Sequence, residues 1–317
     1  MGMSLDPSQP AEPPEPAATG TADGWGTSRV LVVVPVPGDR ASTPGSALAS
    51  LLAQREERPD VVVVAPACRA DVVTVVERHA ARLVVLVDED AGVGVAAAVN
   101  AGLRAASSMH RYVTWLGPDD VLLPGALRTA AAALDADPGA VLAFGDCRHE
   151  SADGDYLFTP HTRLRVRHLL GVGAEPPAPS ATLFRLAAIG EVGGLDEGLR
   201  YALDLDLLLR LRRLGRFAAT GRTLAAFRCP DPGVVLGRGA AAVAETRAVL
   251  ARHTSEALRP LTAAWRGPVR LTGRRPLPRV QRAVPWLEPA TGAATTGAAT
   301  TGAVTTGGTT VRDADRA

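Results

Sequence analysis

Lysine is absent from the chain: all 34 of its Lys-or-Arg positions are arginine. That excludes a P-loop lysine and a Schiff-base lysine, and several enzyme classes with them. Cysteine is scarce as well. Cys68, Cys147 and Cys229 lie far apart without CxxC spacing, so neither a zinc site nor a disulfide framework is implied. A reduced, cytoplasmic setting fits best. No apolar run approaches the roughly 18 residues of a membrane helix, and no charged region followed by an apolar one opens the chain. The expectation is therefore no transmembrane segment, with peripheral membrane contact left open. Excess charge is missing too. The 34 basic and 33 acidic side chains leave +1, so no global field draws the protein to nucleic acid.

What is present falls into segments. Residues 1–27 are rich in Pro, Ala, Gly, Glu and Asp and are expected to be disordered. Residues 291–317 carry Thr-Thr-Gly-Ala-like units that cannot bury a core, and read as a low-complexity flexible tail. Between them and the domain, 256–290 is an Arg- and Pro-rich extension holding Trp265 and Trp286. The remaining stretch, 28–255, reads as one domain with a first half to residue 147 and a second from 148.

Inside that stretch short β-branched runs alternate with helical spacing. Strands are expected at 30–34, 61–64, 83–87, 112–116 and 141–144, and helices at 46–54, 71–79, 95–106 and 124–134, the last with Pro124 in its first turn. This alternation means βαβ units and a mostly parallel sheet. After Phe144 the pattern loosens. A hairpin is expected near Asp153-Gly154, a helix near 164–170, a Pro-rich loop at 175–179 and a leucine-faced helix at 204–214. Short strands near Phe217 and at 224–227 then precede a last helix at 240–253.

Ligands of parallel sheets bind at the carboxyl ends of the strands. Those ends carry Asp88 and Asp90, Asp119-Asp120, and Asp146. Carboxylates gathered at one rim suit a hard divalent cation that also takes phosphate oxygens. Aspartates at strand ends are, equally, common turn formers and helix caps. The first strand-to-helix turn, Pro35 to Asp39, has no GxGxxG. A dinucleotide-dependent oxidoreductase or a methyltransferase would leave its ligand little backbone to approach there.

Several motifs occur in a telling order. Asp90-x-Gly-x-x-x-Ala-x-x-x-Asn100 is followed by Tyr112-Val-Thr-Trp-Leu-Gly-Pro-Asp-Asp120, Pro124-Gly-Ala-Leu127 and Phe144-Gly-Asp146. Then come Thr182-Leu-Phe-Arg185, Gly193-Gly-Leu-Asp-Glu197, the stretch 201–210 and Leu224-Ala-Ala-Phe-Arg228. In this order they resemble the inverting family 2 glycosyltransferases. The resemblance implies a Rossmann-like glycosyltransferase A fold: an α/β domain with a mostly parallel central sheet, flanking helices and a smaller mixed region on the acceptor side.

It also implies roles. Asp119 would hold the metal, Mg2+ or Mn2+, with Asp120 beside it. Asp204 would be the catalytic base, and Pro35, Asp90, Asn100 and Asp120 would line the donor site. Asp146 and Asp196 belong to the acceptor side or to the framework. Asp206 and Arg210, four apart on one helix, read as a structural ion pair. The implied partners are a nucleotide-sugar donor and a glycan, lipid-linked or small-molecule acceptor. A helix cap is the alternative role for Asp204.

The departures sit mostly in the first half. The family's acid after the second strand is replaced by Ala65, Ala67 and Cys68, the first acid of Asp-x-Asp by Gly117, and the acid before Asp204 by Leu203. The nucleotide-binding half is thus eroded while Asp119 and Asp204 remain. Two readings stand: an active glycosyltransferase in glycan biosynthesis, or a catalytically degenerate binding or scaffold protein.

Overall fold

Residues 30–35 and 60–65 are apolar at all but one position because the strands they form are covered on both faces. The structure, a computed structural model, describes residues 18–19, 25–38, 43–66, 68–77, 83–87, 94–151, 156–159, 170, 176–229 and 240–254. All of these lie in the first of the two units into which the chain divides, Met1–Ala283 and Val284–Ala317.

The strands are β1 (Ala18–Thr19), β2 (Val30–Pro35), β3 (Asp60–Ala65), β4 (Leu83–Val87), β5 (Tyr112–Trp115), β6 (Val121–Leu122), β7 (Ala140–Ser151), β8 (Tyr156–Phe158), β9 (Thr182–Arg185) and β10 (Arg216–Cys229). The helices are α1 (Gly45–Leu52), α2 (Ala70–Glu77), α3 (Val95–Arg104), α4 (Ala126–Ala136), α5 (Leu186–Glu191), α6 (Leu203–Leu211) and α7 (Ala240–Arg252), with a 3-10 turn at Pro179–Ala181.

All ten strands join one sheet in the order β1-β4-β3-β2-β5-β9-β7-β10-β6, with β8 on β7. Strands β4, β3, β2 and β5 are mutually parallel, as are β7 and β10. Strand β9 runs antiparallel to both of its neighbours. The expected α/β fold with a mainly parallel centre and a mixed far side is what forms.

Alternate side chains of each strand feed two cores. Leu31, Val33, Val62, Val64, Val113 and Trp115 point to the face covered by α3, α5, α6 and α7. Val30, Val32, Val34, Val61, Val63 and Tyr112 point to the face of α1, α2 and α4. Helix α3 lies so close to β2 that a Cβ at Gly102 would stand 2.5 Å from Val33 Cγ1. At the opposite end of the sheet from the expected ligand rim, Asp60 is fully buried. Its Oδ2 accepts the N–H groups of Gly26 (2.9 Å) and Ser28 (3.2 Å) and meets His110 Nε2 at 3.1 Å. Trp25 stands edge-on to that histidine.

Several boundaries differ from the sequence expectation. Within 1–27, expected to be disordered, Ala18–Thr19 pairs antiparallel with β4 and Trp25 packs on a core. Pro124 lies ahead of α4, whose N-cap is Gly125 at φ +73°, so the proline is not in the first helical turn. The strand at 141–144 continues to Ser151, and the two short strands near 217 and 224–227 are one strand, β10, with register shifts between Ala219 and Ala225. Strands β7 and β8 pair antiparallel on either side of the hairpin expected near Asp153-Gly154, whose turn itself lies outside the described residues. The helix expected at 164–170 lies outside the described residues except for Leu170, which is buried. The extension 256–290 and the tail 291–317 lie outside them as well.

The α3–β2 approach gives a test whose sign is not trivial. In an open helix Gly→Ala gains up to about 1 kcal/mol, whereas forcing an extra carbon into a packed core costs about 1–3 kcal/mol. Gly102→Ala is expected to lower stability on net, read as a reduced urea midpoint with an unchanged m-value.

Candidate active site

The carboxyl ends of the parallel strands are built in an unexpected way. Pro35 is buried and pairs with Val64, and Val36 extends the ladder by donating to Val64 O at 2.8 Å. It therefore closes the strand and offers a ligand no exposed ring, contrary to the donor role expected for it. At the end of β3, near the missing acid, stands Arg69, whose side chain is fully buried. Its Nη1 donates to Pro37 O at 2.8 Å, and Nε and Nη2 each reach a carboxylate oxygen of Asp71 at 3.0 Å. The guanidinium fork so ties the loop after β2 to the start of α2. The sequence reading passed over Arg69; its one signal is an Arg-x-Asp just past a strand.

After β5 the chain turns through Gly117-Pro118-Asp119-Asp120, with Asp120 N donating to Gly117 O at 3.1 Å. The turn is held from three sides. Leu123 N donates to Leu224 O, Leu122 N donates to Ser50 Oγ, and Gln54 Nε2 donates to Leu123 O. Asp119 is half-buried, while Asp120 is 8% exposed. The Asp120 carboxyl folds back over Gly117: a Cβ there would lie 3.1 Å from Asp120 Oδ2. The volume that an acidic side chain at 117 would enter is thus already taken by a carboxyl group. Burial, reinforced by neighbouring Asp119, pushes the Asp120 carboxyl up to about 7, against hydrogen bonds with the backbone of Gly117 and Arg228 and with Ser180. Burial likewise pushes the adjacent Cys147 thiol up to about 12.

Asp204 is the second residue of α6. The N-cap is Ala202, and no side chain caps the helix. The capping role considered for Asp204 is therefore not the one it plays. Part of the residue is exposed, but Oδ1 has no access to solvent and no hydrogen-bond partner. Desolvation alone lifts its carboxyl to about 7. Two residues on, Asp206 is fully engaged. Oδ2 accepts from Arg210 Nε at 2.8 Å, and Oδ1 meets His253 Nε2 at 2.8 Å. Arg210 Nη1 also donates to the carbonyls of Val192 (2.6 Å) and Gly194 (2.7 Å). The expected Asp206–Arg210 pair is structural, and it anchors α6 to α7.

Asn100 departs from its expected donor role for a physical reason. Its amide donates to Leu195 O (2.9 Å) and Glu197 Oε1 (2.8 Å) and accepts Leu195 N–H at 2.9 Å. Gly194, at φ +74°, leaves the space in which its Cβ would stand 2.7 Å from Asn100 Oδ1. The distant Asn100 and Gly193-to-Glu197 motifs are thus two halves of one clamp. Asp196 closes the same loop, accepting from Gly198 N and Arg252, and the Arg252 contact holds its carboxyl below the usual range. Asp146 is half-buried opposite Thr223 in β10. Asp90 and Asp88 lie outside the described residues.

The profile described as "Glycosyl transferase family 2" matches residues 32–186. The chain carries a family 2 glycosyltransferase domain. The fold agrees with solved structures of such enzymes. S. aureus TarS 1–349 in complex with UDP-GlcNAc aligns at TM-score 0.58 and 16% identity over 77% of this chain and 73% of that one. The mannosyltransferase PcManGT from Pyrobaculum calidifontis, in complex with GDP-Man and Mn2+, aligns at TM-score 0.54 and 18% identity over 77% and 73%. No curated protein matches the chain by sequence.

In this family 2 domain no group of three or more His, Cys, Asp or Glu gathers to hold a metal by itself among the described residues. One half-buried carboxylate, Asp119, on a turn pinned by α1 and β10 fits a different arrangement, in which a hard cation keeps waters and phosphate oxygens as its other ligands. Among the described residues no helix is long and apolar enough to cross a membrane.

Both raised carboxyls make a pH prediction. From an ordinary value of 3.8, the folded state lifts Asp120 and Asp204 to about 7, so it binds their protons more tightly than the unfolded chain does. Their contribution is therefore most favourable below about pH 4, is lost as pH rises toward about 7, and stays lost above it. Asp204→Asn removes one of the two penalties. The variant is expected to melt at least about 2 °C above wild type at pH 8, a shift on the scale of 1 kcal/mol for such a domain, with the gap closing at pH 4.

Proposed function

We propose that the protein transfers a glycosyl group from a nucleoside diphosphate sugar to a hydroxyl of a glycan, lipid-linked or small-molecule acceptor, inverting the anomeric centre. The observation that carries this reading is Asp204: a buried carboxyl without a hydrogen-bond partner at Oδ1, uncommitted to helix capping and raised to about 7. A general base works best when its pKa lies near the operating pH. In the proposed step Asp204 takes the acceptor's hydroxyl proton while the acceptor oxygen forms a bond to the anomeric carbon. The bond from that carbon to the diphosphate oxygen breaks on the opposite face. Asp119 would hold Mg2+ or Mn2+, supplying positive charge beside the departing diphosphate. The nucleotide-sugar complexes of TarS and PcManGT, and the Mn2+ of the latter, support this donor class and this cation.

A second reading has its own observation. Asp120, the neighbour of the metal-holding residue, is folded inward over Gly117 rather than toward a ligand. A domain that has lost catalysis but still binds a partner would look the same at this turn. Calorimetric titration with UDP and GDP in the presence of Mn2+ separates the two, since heat from neither nucleotide favours the degenerate homologue.

On the enzymatic reading, Asp204→Ala and Asp204→Asn reduce turnover by about 10²–10⁴-fold, the usual worth of a positioned base. Asp119→Ala raises the Mn2+ concentration needed for half-activity. For the wild type, kcat/KM rises with pH and levels off above about 7. Turnover unchanged in both alanine variants would sink the site assignment.

A further inference from the structure

Helix α6 starts without a cap of its own. Ala202 occupies the N-cap position and no side chain within the segment hydrogen-bonds the first turn. The N-cap residue itself, and the two residues leading into it, are instead held from another helix. Glu245, in the middle of α7, points its carboxylate at the segment entering α6. Its Oε1 accepts the backbone N–H groups of Tyr201 and Ala202 at 2.7 Å each, and both oxygens share the N–H of Arg200 at 3.1 and 3.2 Å. Burial opposes the charge, yet the three backbone donors prevail and hold this carboxyl below the usual glutamate range. Three N–H groups on one carboxylate, from a residue more than forty positions away, is more than helix packing requires. Nothing in the sequence reading pointed to Glu245.

The chain just past α7 grips α6 a second time, through His253 on Asp206. The two grips bracket Asp204, with Glu245 before it and the Asp206–His253 contact after it. Asp204 itself makes neither contact. Its environment therefore depends on the first turn of α6 staying wound and dry, and the chain's entry into that turn, up to the N-cap Ala202, is secured by Glu245.

Building on the proposed role of Asp204 as base, we propose that Glu245 is a positioning residue for catalysis: it caps α6 from α7 and so keeps the Asp204 carboxyl enclosed and aimed. With Glu245 truncated, the N–H groups of Arg200, Tyr201 and the N-cap Ala202 lose their acceptor, the entry into α6 loosens and water reaches Asp204. The charged groups around this turn are Asp206 with Arg210, His253 and Arg252, and Asp196 beyond Glu245. None of them is altered by the substitution.

The test uses the full chain with a carbon-13 label on aspartate carboxyls, Asp204 assigned by the loss of its signal in Asp204→Asn. In wild type the Asp204 resonance titrates near 7. In Glu245→Ala the midpoint moves down toward the ordinary carboxylate range. In Glu245→Gln, which keeps an acceptor oxygen, it stays near the wild-type value. Turnover follows the same order with whichever UDP- or GDP-sugar supports activity: about tenfold or more lost in kcat for Glu245→Ala, with donor KM little changed, and most of it retained in Glu245→Gln. Thermal unfolding of each variant sets a common temperature, lowered if necessary, at which all of them are folded for the titration and the assay.

The outcomes are distinct. An Asp204 midpoint that is the same in Glu245→Ala as in wild type overturns the positioning role. A wild-type Asp204 that titrates as an ordinary carboxylate, or an Asp204→Asn variant as active as wild type, overturns the base assignment instead.

Discussion

Burial of the parallel strands on both faces is the constraint from which the rest follows. Strands β2 and β3 send alternate side chains into two different cores, so the middle of the sheet has no room for a polar group without a partner. Polar chemistry is driven to the ends. At the amino-terminal edge the one fully buried acid, Asp60, is engaged by two backbone N–H groups and His110. At the carboxyl-terminal edge stand the half-buried Asp119, the enclosed Asp120 and the Arg69 tie. The two edges differ in kind: at the first, the acid is sealed in, its Oδ1 buried without a partner, while at the second the half-buried Asp119 keeps access to solvent.

The absence of lysine acquires a structural meaning here. Arginines act repeatedly as clamps on backbone carbonyls that no helix or sheet satisfies. Arg185 donates to Ala140 O and Leu134 O at the end of α4, Arg210 to Val192 O and Gly194 O, and Arg69 to Pro37 O. A planar five-donor fork can serve a carbonyl and a carboxylate at once, which a single ammonium does less well. Carboxylates are sorted by the same logic. Asp196 and Glu245, which meet an arginine or backbone N–H groups near the surface, are held below the ordinary carboxylate range, whereas at Asp120 burial outweighs the backbone hydrogen bonds. Asp204, which meets neither at Oδ1, is raised by burial alone.

The parallel half of the sheet was legible because its signal is local. Runs such as Val61 to Val64 bounded by turn residues have few other ways to fold, and the alternation with helices follows. Strand β9 was not legible as a strand. Thr182 to Arg185 is only four residues long, and its place between β5 and β7 is set by partners far away in sequence. The same distance effect divided the site. The Asp206–Arg210 pair could be nominated from a helical register, and Asp204 from the resemblance of its motif to the family. The commitment of Asn100 to the 194–197 loop, the reach of Glu245 across to Ala202 and the burial of Arg69 are tertiary facts that no spacing encodes. Motif order picked out the candidate residues, and side-chain partners separate those already committed to the framework from those that are not.

The position of β9 also bears on how the protein is made. It is contributed by the second half of the chain, yet it is the strand that joins β5 to the start of β7, Leu142 to Phe144, both in the first half. A nascent chain that has emerged only as far as residue 147 carries two apolar strands whose facing edges have no hydrogen-bonding partner, and such edges invite pairing with other chains. Closing the sheet waits until Arg185 has left the ribosome, and contacts of such long sequence separation form slowly. The halves that the sequence divides at residue 147 are therefore interleaved in space, and vectorial synthesis leaves the first exposed until the second arrives.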